Sequence, residues 1–369
     1  MNAQTINTPV AAFANKMFKH PAATTAYQRL LEAMGNEFSS EIIILTGPTG
    51  VGKSTVATAT GKAVLERFQT RMAAEPDFVP VVALRAVPPT GGNFDWKDFY
   101  IRLLSGQDEP FSDRKLYVPR QMPLLPDCIS SDHLERSVTN RLRRSVEEYL
   151  RRRRTKLLII DEAHHLLMVN SGHRLECQFE TLKSLAIETG VTILLSGTYS
   201  LLNILRHSGQ LTRRSQVVDF PRYDMRRRED AKNFQRTLVF LEHLLSVNIP
   251  SKLGANVDYF YQKSIGCIGI LKDWMTRCLE HAIQEQAPVI DTAFANRFAL
   301  PNRGLMRILE EAVWGEAELA DVGDDQLHDL LKHGLLVARE EEPDGMIRRK
   351  PGKRNPLRDP VGRSGHERN

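Results

Sequence analysis

Between residues 42 and 220 the chain carries five short apolar runs: "IIIL" (42–45), "VPVVAL" (79–84), "LLII" (157–160), "VTILL" (191–195) and "VVDF" (217–220). In most of them apolar residues follow one another without alternating, the pattern of buried parallel strands covered on both faces. The gaps read mostly as helices. In "TTAYQRLLEAMG" (24–35) Tyr27, Leu30, Leu31 and Met34 share one helical face, and "WKDFYIRLL" (96–104) is also helical. From Ser131, a fair N-cap, to Arg154 the residues Leu134, Val138, Leu142, Val146 and Leu150 recur every fourth position, which predicts a long amphipathic helix. The stretch 105–128, rich in Pro, Ser and Asp, reads as an excursion over the surface. After residue 221 the strand signal stops, and "FQRTLVFLEHLL" and "ILKDWMTRCLEHAI" have helical periodicity. The pattern predicts an α/β doubly wound core with a five-stranded parallel sheet, followed by a small all-helical domain. The expected organisation is a helix-bearing N-terminal extension (1–40), the α/β core (41–223), a helical lid with C-terminal helices (224–335) and a charged tail (336–369).

Composition narrows the class only a little. With 369 residues and 41% hydrophobic content the chain can bury a sizeable core. Its net charge of +5 suits a polyanionic partner without requiring one. No window approaches the roughly 20 apolar residues of a membrane span, and the start lacks the charged leader of a signal peptide, so no membrane role is expected. The four cysteines are scattered without a C-x-x-C pair, which argues against structural zinc and a disulfide framework and fits a reducing cytoplasm.

The chemistry begins at "GPTGVGKS" (47–54), which satisfies G-x-x-x-x-G-K-[ST] between an apolar strand and a helical stretch. In such a loop Gly47, Pro48, Thr49, Gly50, Val51, Gly52, Lys53, Ser54 and Thr55 surround a nucleotide's phosphates. Backbone N–H groups and the new helix's N-terminus face phosphate oxygens. Lys53 is expected to reach the β- and γ-phosphates, and Ser54 to ligate Mg²⁺. Further on, "LLIIDE" sets Asp161 and Glu162 at the C-terminal end of a strand. In an open parallel sheet that edge lies beside the phosphate loop. Asp161 is expected to hold Mg²⁺, and Glu162 to polarise the attacking water. The expected cofactors are therefore ATP and Mg²⁺. The adjoining His164 and His165 read as supporting or surface groups, since no third metal ligand is spaced to join them.

Asp161-Glu162-Ala163-His164 is also the signature of a class of helicases, and "SGT" (196–198) is close to another of their motifs. Those helicases need a second strand-rich core with a Q-R-x-G-R-x-G-R string. The residues after Thr198 carry one further strand and then helices, with no such string. Instead "SGQLTRRSQVVDFPRY" (208–223) leads directly into helices. This order is similar to that of the AAA+ ATPases. The resemblance implies a γ-phosphate-sensing residue at the end of the fourth strand, Thr198 first and Ser196 second. It also implies an arginine, Arg213 or Arg214, that reaches into a neighbouring subunit's site. Lys272 in "GILK" (269–272) stands where the family carries a sensing arginine, although it lacks the guanidinium fork.

"LLIIDEAHHLL", "LLSGT", "QLTRRSQVVDFPRY" and "SIGCIGILKDWMTRCLEHAI" together resemble the transposon-regulator ATPases of the TnsC/TniB type over roughly residues 10–300. That resemblance implies a bacterial cytoplasmic protein whose ATP-bound copies form rings or filaments on double-stranded DNA with little sequence preference. A target-selector protein recruits it, it activates a transposase, and hydrolysis dismantles the assembly. Lys97, Arg102, Arg151 and Arg152 are the candidate DNA contacts, phosphate contact requiring only basic groups on a common track. The alternative for the 151–154 run is a solvated helix face partly paired with Glu147 and Glu148. Residues 340–369, acidic and then basic, are a candidate partner-binding tail. The competing functions are a helicase-like nucleic-acid motor, another AAA+ ATPase of secretion or replication-initiator type, and a nucleotide-gated scaffold that hardly hydrolyses ATP.

Overall fold

The computed structural model describes residues 9–16, 19–35, 42–89, 92–106, 131–168, 172–203, 215–246, 249–320 and 323–333. Arg213 and Arg214, the tail from 336 and nearly all of the 105–128 excursion lie outside these residues.

Chain order begins with α1 (Pro9–Asn15) and α2 (Pro21–Met34), then β1 (Ile42–Thr46), α3 (Lys53–Arg67), α4 (Gln69–Ala74) and β2 (Val81–Arg85). Next come α5 (Trp96–Ser105), α6 (Ser131–Arg152), β3 (Leu157–Asp161), α7 (Gly172–Thr189), β4 (Thr192–Gly197) and β5 (Ser215–Asp219). Helices α8 (Arg228–Ser246), α9 (Val257–Ser264), α10 (Ile268–Gln284), α11 (Thr292–Asn296) and α12 (Asn302–Glu318) complete one unit, Met1–Ala320. The second unit, Asp321–Asn369, holds α13 (Asp324–His333) among its described residues.

The five strands among the described residues are parallel, in the order β2-β3-β4-β1-β5. Their period of two sorts the apolar runs between the sheet's faces. Ile42, Ile44, Leu158, Ile160, Ile193 and Leu195 join one core with α5, α6 and α7. Ile43, Leu45, Leu157, Ile159 and Leu194 join another with α2 and α3. The central strands are therefore covered on both sides, and each fully buried Leu or Ile contributes roughly 1.5–3 kcal/mol. The expectation of five equally buried strands fails at β2 and β5: each alternates exposed and covered positions because it lies at a sheet edge. Leu238, Leu241, Phe260, Leu271 and Trp274 form the core of the helical region, and Phe13 of α1 packs into it.

Candidate nucleotide site

Sheet order decides where the site lies. β1 runs between β4 and β5, and in register Thr46 pairs with Gly197 on one side and Asp219 on the other. Asp161 closes β3 opposite Arg85 of β2. The phosphate loop, the Asp-Glu pair and the polar end of β4 thus leave the sheet at its C-terminal edge, where open α/β sheets bind ligands.

Val51 is buried in the core between the sheet and α3 and anchors the loop. Lys53 begins α3 with its side chain turned inward; Nζ donates to Gly47 O (2.9 Å) and Pro48 O (2.8 Å). The residue is only 9% exposed. Burial pulls its pKa down to about 8, offset in part by the negative charge of Glu162 and, more weakly, of Glu311 and Asp161. Thr49, Ser54 and Thr55 face solvent.

Helix α10 packs directly on this loop. Gly50 has φ +76° and its carbonyl accepts from Ile270 N–H (3.1 Å), a first-turn donor with no partner inside its own helix. A Cβ at Gly269 would collide with Gly50 O, so only glycine permits this approach. Lys272, one turn along, is directed elsewhere: Nζ donates to Ala14 O (2.6 Å) and Lys16 O (3.0 Å), capping the end of α1.

At the Asp-Glu end, Ser196 Oγ donates to Asp161 Oδ1 (2.8 Å). Thr198 Oγ1 pairs instead with Ser200 Oγ (2.9 Å), and its carbonyl accepts from Thr46 Oγ1 (3.1 Å). Of the two candidate hydroxyls, Ser196 is the one in contact with the acidic pair. Glu162 stands between Arg85 Nη2 (3.4 Å from Oε1) and His164 Nδ1 (3.3 Å from Oε2). Ser54 and Asp161 line one open groove of about 500 Å³ between α3 and β2. A hydroxyl and a carboxylate facing the same groove fit a hard cation such as Mg²⁺, which would polarise the phosphate oxygens.

Sequence reading misses several residues here. Arg85 reaches Glu162 from the edge strand, and Glu311 of α12 lies within electrostatic reach of Lys53 and His164. Arg222, after β5, is buried against Glu316 (Nε–Oε1 2.9 Å). Each depends on a partner distant in sequence, and no local motif marks it.

The basic candidates are mostly ion-paired. Arg151 contacts Glu148 and donates to Glu188 O, Arg152 pairs with Glu148 (2.6 Å), Arg153 with Asp77 (2.8 Å), and Arg154 with Glu75. Arg102 pairs with Asp98 (2.6 Å). Lys97 lies in the first turn of α5, half-buried.

The buried lysine has a pH consequence. The free protein loses the Lys53 charge as pH rises through about 8, whereas bound phosphate would keep it protonated, so the complex holds more protons than the free protein. Nucleotide affinity is therefore expected to be full below that pH and to fall by about tenfold per unit above it. Calorimetry near pH 9 in buffers of different ionisation heat should detect proton uptake on binding. Stability runs the other way: the unfolded chain keeps the proton to higher pH, so this group's penalty on folding is present below about pH 8 and is relieved as pH rises towards 10.5.

Residues 36–205, which hold β1 to β4, match the family model described as an AAA domain. No curated protein in the comparison matches the chain. Solved structures similar to it include the ORC2 protein of Aeropyrum pernix in its ADPNP–ADP complexes (14% identity, 87% of this chain and 88% of that one, TM-score 0.48). Domain III of the Thermotoga maritima replication initiation protein DnaA is 15% identical over 78% of this chain and 94% of that one (TM-score 0.42). A Walker-type ATPase of Pyrococcus abyssi is 17% identical over 84% and 75% (TM-score 0.39). The five-stranded parallel sheet with its phosphate loop and flanking helices has the AAA+ P-loop fold, and further helices follow it. Among the described residues no helix is long and apolar enough to cross a membrane.

Proposed function

We propose that this chain is an ATP-dependent regulator of DNA transposition. ATP-bound copies assemble on double-stranded DNA as a ring or helical filament. The assembly links a target-selector protein to a transposase and comes apart on hydrolysis. The observation that carries the ATPase part is that the loop after β1, with Lys53, and the end of β3, with Asp161 and Glu162, leave the parallel sheet at the same edge, with α10 seated on the phosphate loop. The transposition part is supported by the likeness of the Asp161–His165, 210–223 and 264–283 runs to the TnsC/TniB type.

In this reading Lys53 and the loop N–H groups bind the triphosphate, Ser54 and Asp161 hold Mg²⁺, and Glu162 activates water. Ser196 or Thr198 senses the γ-phosphate. Arg213 or Arg214 of a neighbouring copy supplies positive charge to the transition state. Lys97 and Arg102 meet DNA phosphates, with Arg151 and Arg152 as further contacts. Exposed ion pairs such as Arg102–Asp98 hold these side chains only weakly, so a phosphate can displace the carboxylate.

Electron microscopy with a non-hydrolysable ATP analogue, duplex DNA and the full chain tests the assembly. Ordered oligomers are expected with analogue and not without it. Turnover per molecule should rise with protein concentration as sites are completed. Only monomers under all these conditions, with turnover unchanged on dilution, would rule out the assembly.

A further inference from the structure

His164 Nδ1 is buried and makes no hydrogen bond. Its ring is held by its surroundings: it lies against His165 with centroids 4.2 Å apart, and its backbone nitrogen backs onto Gly197, where an added Cβ would come within 3.1 Å. The turn that carries it is closed by His165 N–H donating to Glu162 O (3.0 Å). Glu162 itself has φ +52° and ψ +36°, a left-handed conformation uncommon for a side-chain-bearing residue. Such backbone persists where the surroundings fix it, and it clusters at functional sites.

The two oxygens of Glu162 therefore differ. Oε1 faces Arg85, whose side chain is 71% exposed, at 3.4 Å. Oε2 faces the inward His164 Nδ1 at 3.3 Å. A buried polar nitrogen left unpaired is unfavourable; with the proton on Nδ1, a small rotation that aligns Nδ1–H with Oε2 pairs it.

We infer that His164 is a positioning residue for Glu162. Its Nδ1–H holds Oε2, so that Oε1, held only by the long 3.4 Å contact from the exposed Arg85, is the oxygen that turns to the water attacking the γ-phosphate. Burial, and then His165, hold the imidazole pKa below its ordinary value, so the donor is neutral and leaves the carboxylate its charge. The inference rests on the nucleotide reading of the site.

The test measures ATP turnover, and the Kd of a non-hydrolysable ATP analogue, on the full chain with Mg²⁺ and duplex DNA. His164→Leu is expected to lower kcat by about tenfold to a hundredfold, the effect of misplacing a catalytic group by an ångström, while Kd stays within about twofold. His164→Asn, whose Nδ2 falls near the place of Nδ1, should restore most of the rate. His164→Gln, with its amide one carbon further out, should not. Equal loss in the Leu and Asn variants, or loss of analogue binding in parallel with turnover, overturns the positioning role. Failure of the unmodified protein to bind the analogue overturns the nucleotide reading, and this inference with it.

Discussion

Replacing Lys53 by alanine is expected to lower affinity for ATP by at least about a hundredfold and to abolish ATP-dependent assembly on DNA. The ammonium is buried, and its partners are the carbonyls of Gly47 and Pro48 within the loop itself. A phosphate brought there meets a positive charge shielded from water. Removing one member of a buried charge pair costs about 3–5 kcal/mol, and each 1.4 kcal/mol is a factor of ten in Kd. The free protein should respond differently. Below about pH 8 the lysine carries a charge that burial disfavours, so Lys53→Ala should leave thermal stability intact near neutral pH. Binding of a fluorescent ATP analogue, beside a melting curve for each protein, separates the two effects. A variant that melts like its parent yet binds nucleotide equally well would refute the placement of phosphate at this loop.

How much of the molecule is legible in the sequence depends on how local each feature is. The phosphate loop is a run of adjacent residues between a strand and a helix, so spacing alone locates it. Asp161 and Glu162 follow from one strand end and the rule for open sheets. Strand order is not written in any run: the sequence does not say that β2 and β5 are edges, and so their half-exposed faces read as buried. The same gap hides the contact of Ser196. It meets Asp161 because β4 lies beside β3, whereas Thr198, nearer the end of the run, turns to Ser200. Lys272 has the spacing of a sensing residue, but α1, more than 250 residues away, supplies the carbonyls it meets. Arg151 to Arg154 read as a charge run; the pairing of Arg151 and Arg152 with Glu148 is local to the helix and legible, whereas that of Arg153 with Asp77 and of Arg154 with Glu75 depends on how the end of α6 packs beside the turn before β2.

Glu162→Gln should separate binding from hydrolysis. The amide keeps the length of the side chain and leaves the left-handed backbone at 162 unchanged, so the loop and Asp161 stay in place. It cannot take a proton from water, and loss of a general base lowers the rate by about a hundredfold to ten-thousandfold. ATP then persists in the site, and assemblies on DNA should outlast those of the parent protein by a similar factor. Electrostatics adds a second consequence. Glu162 is the largest of the negative charges that hold up the Lys53 pKa, so its neutralisation should move the high-pH loss of nucleotide affinity to lower pH. Phosphate release, the lifetime of DNA-bound complexes and the pH dependence of Kd measure the three effects. Turnover near that of the parent protein would remove Glu162 as the base. Slow turnover with an unshifted pH limb would retain the base and place Lys53 outside its electrostatic reach. Slow turnover with short-lived complexes would uncouple hydrolysis from disassembly and leave a DNA-bound ATPase without the regulatory step.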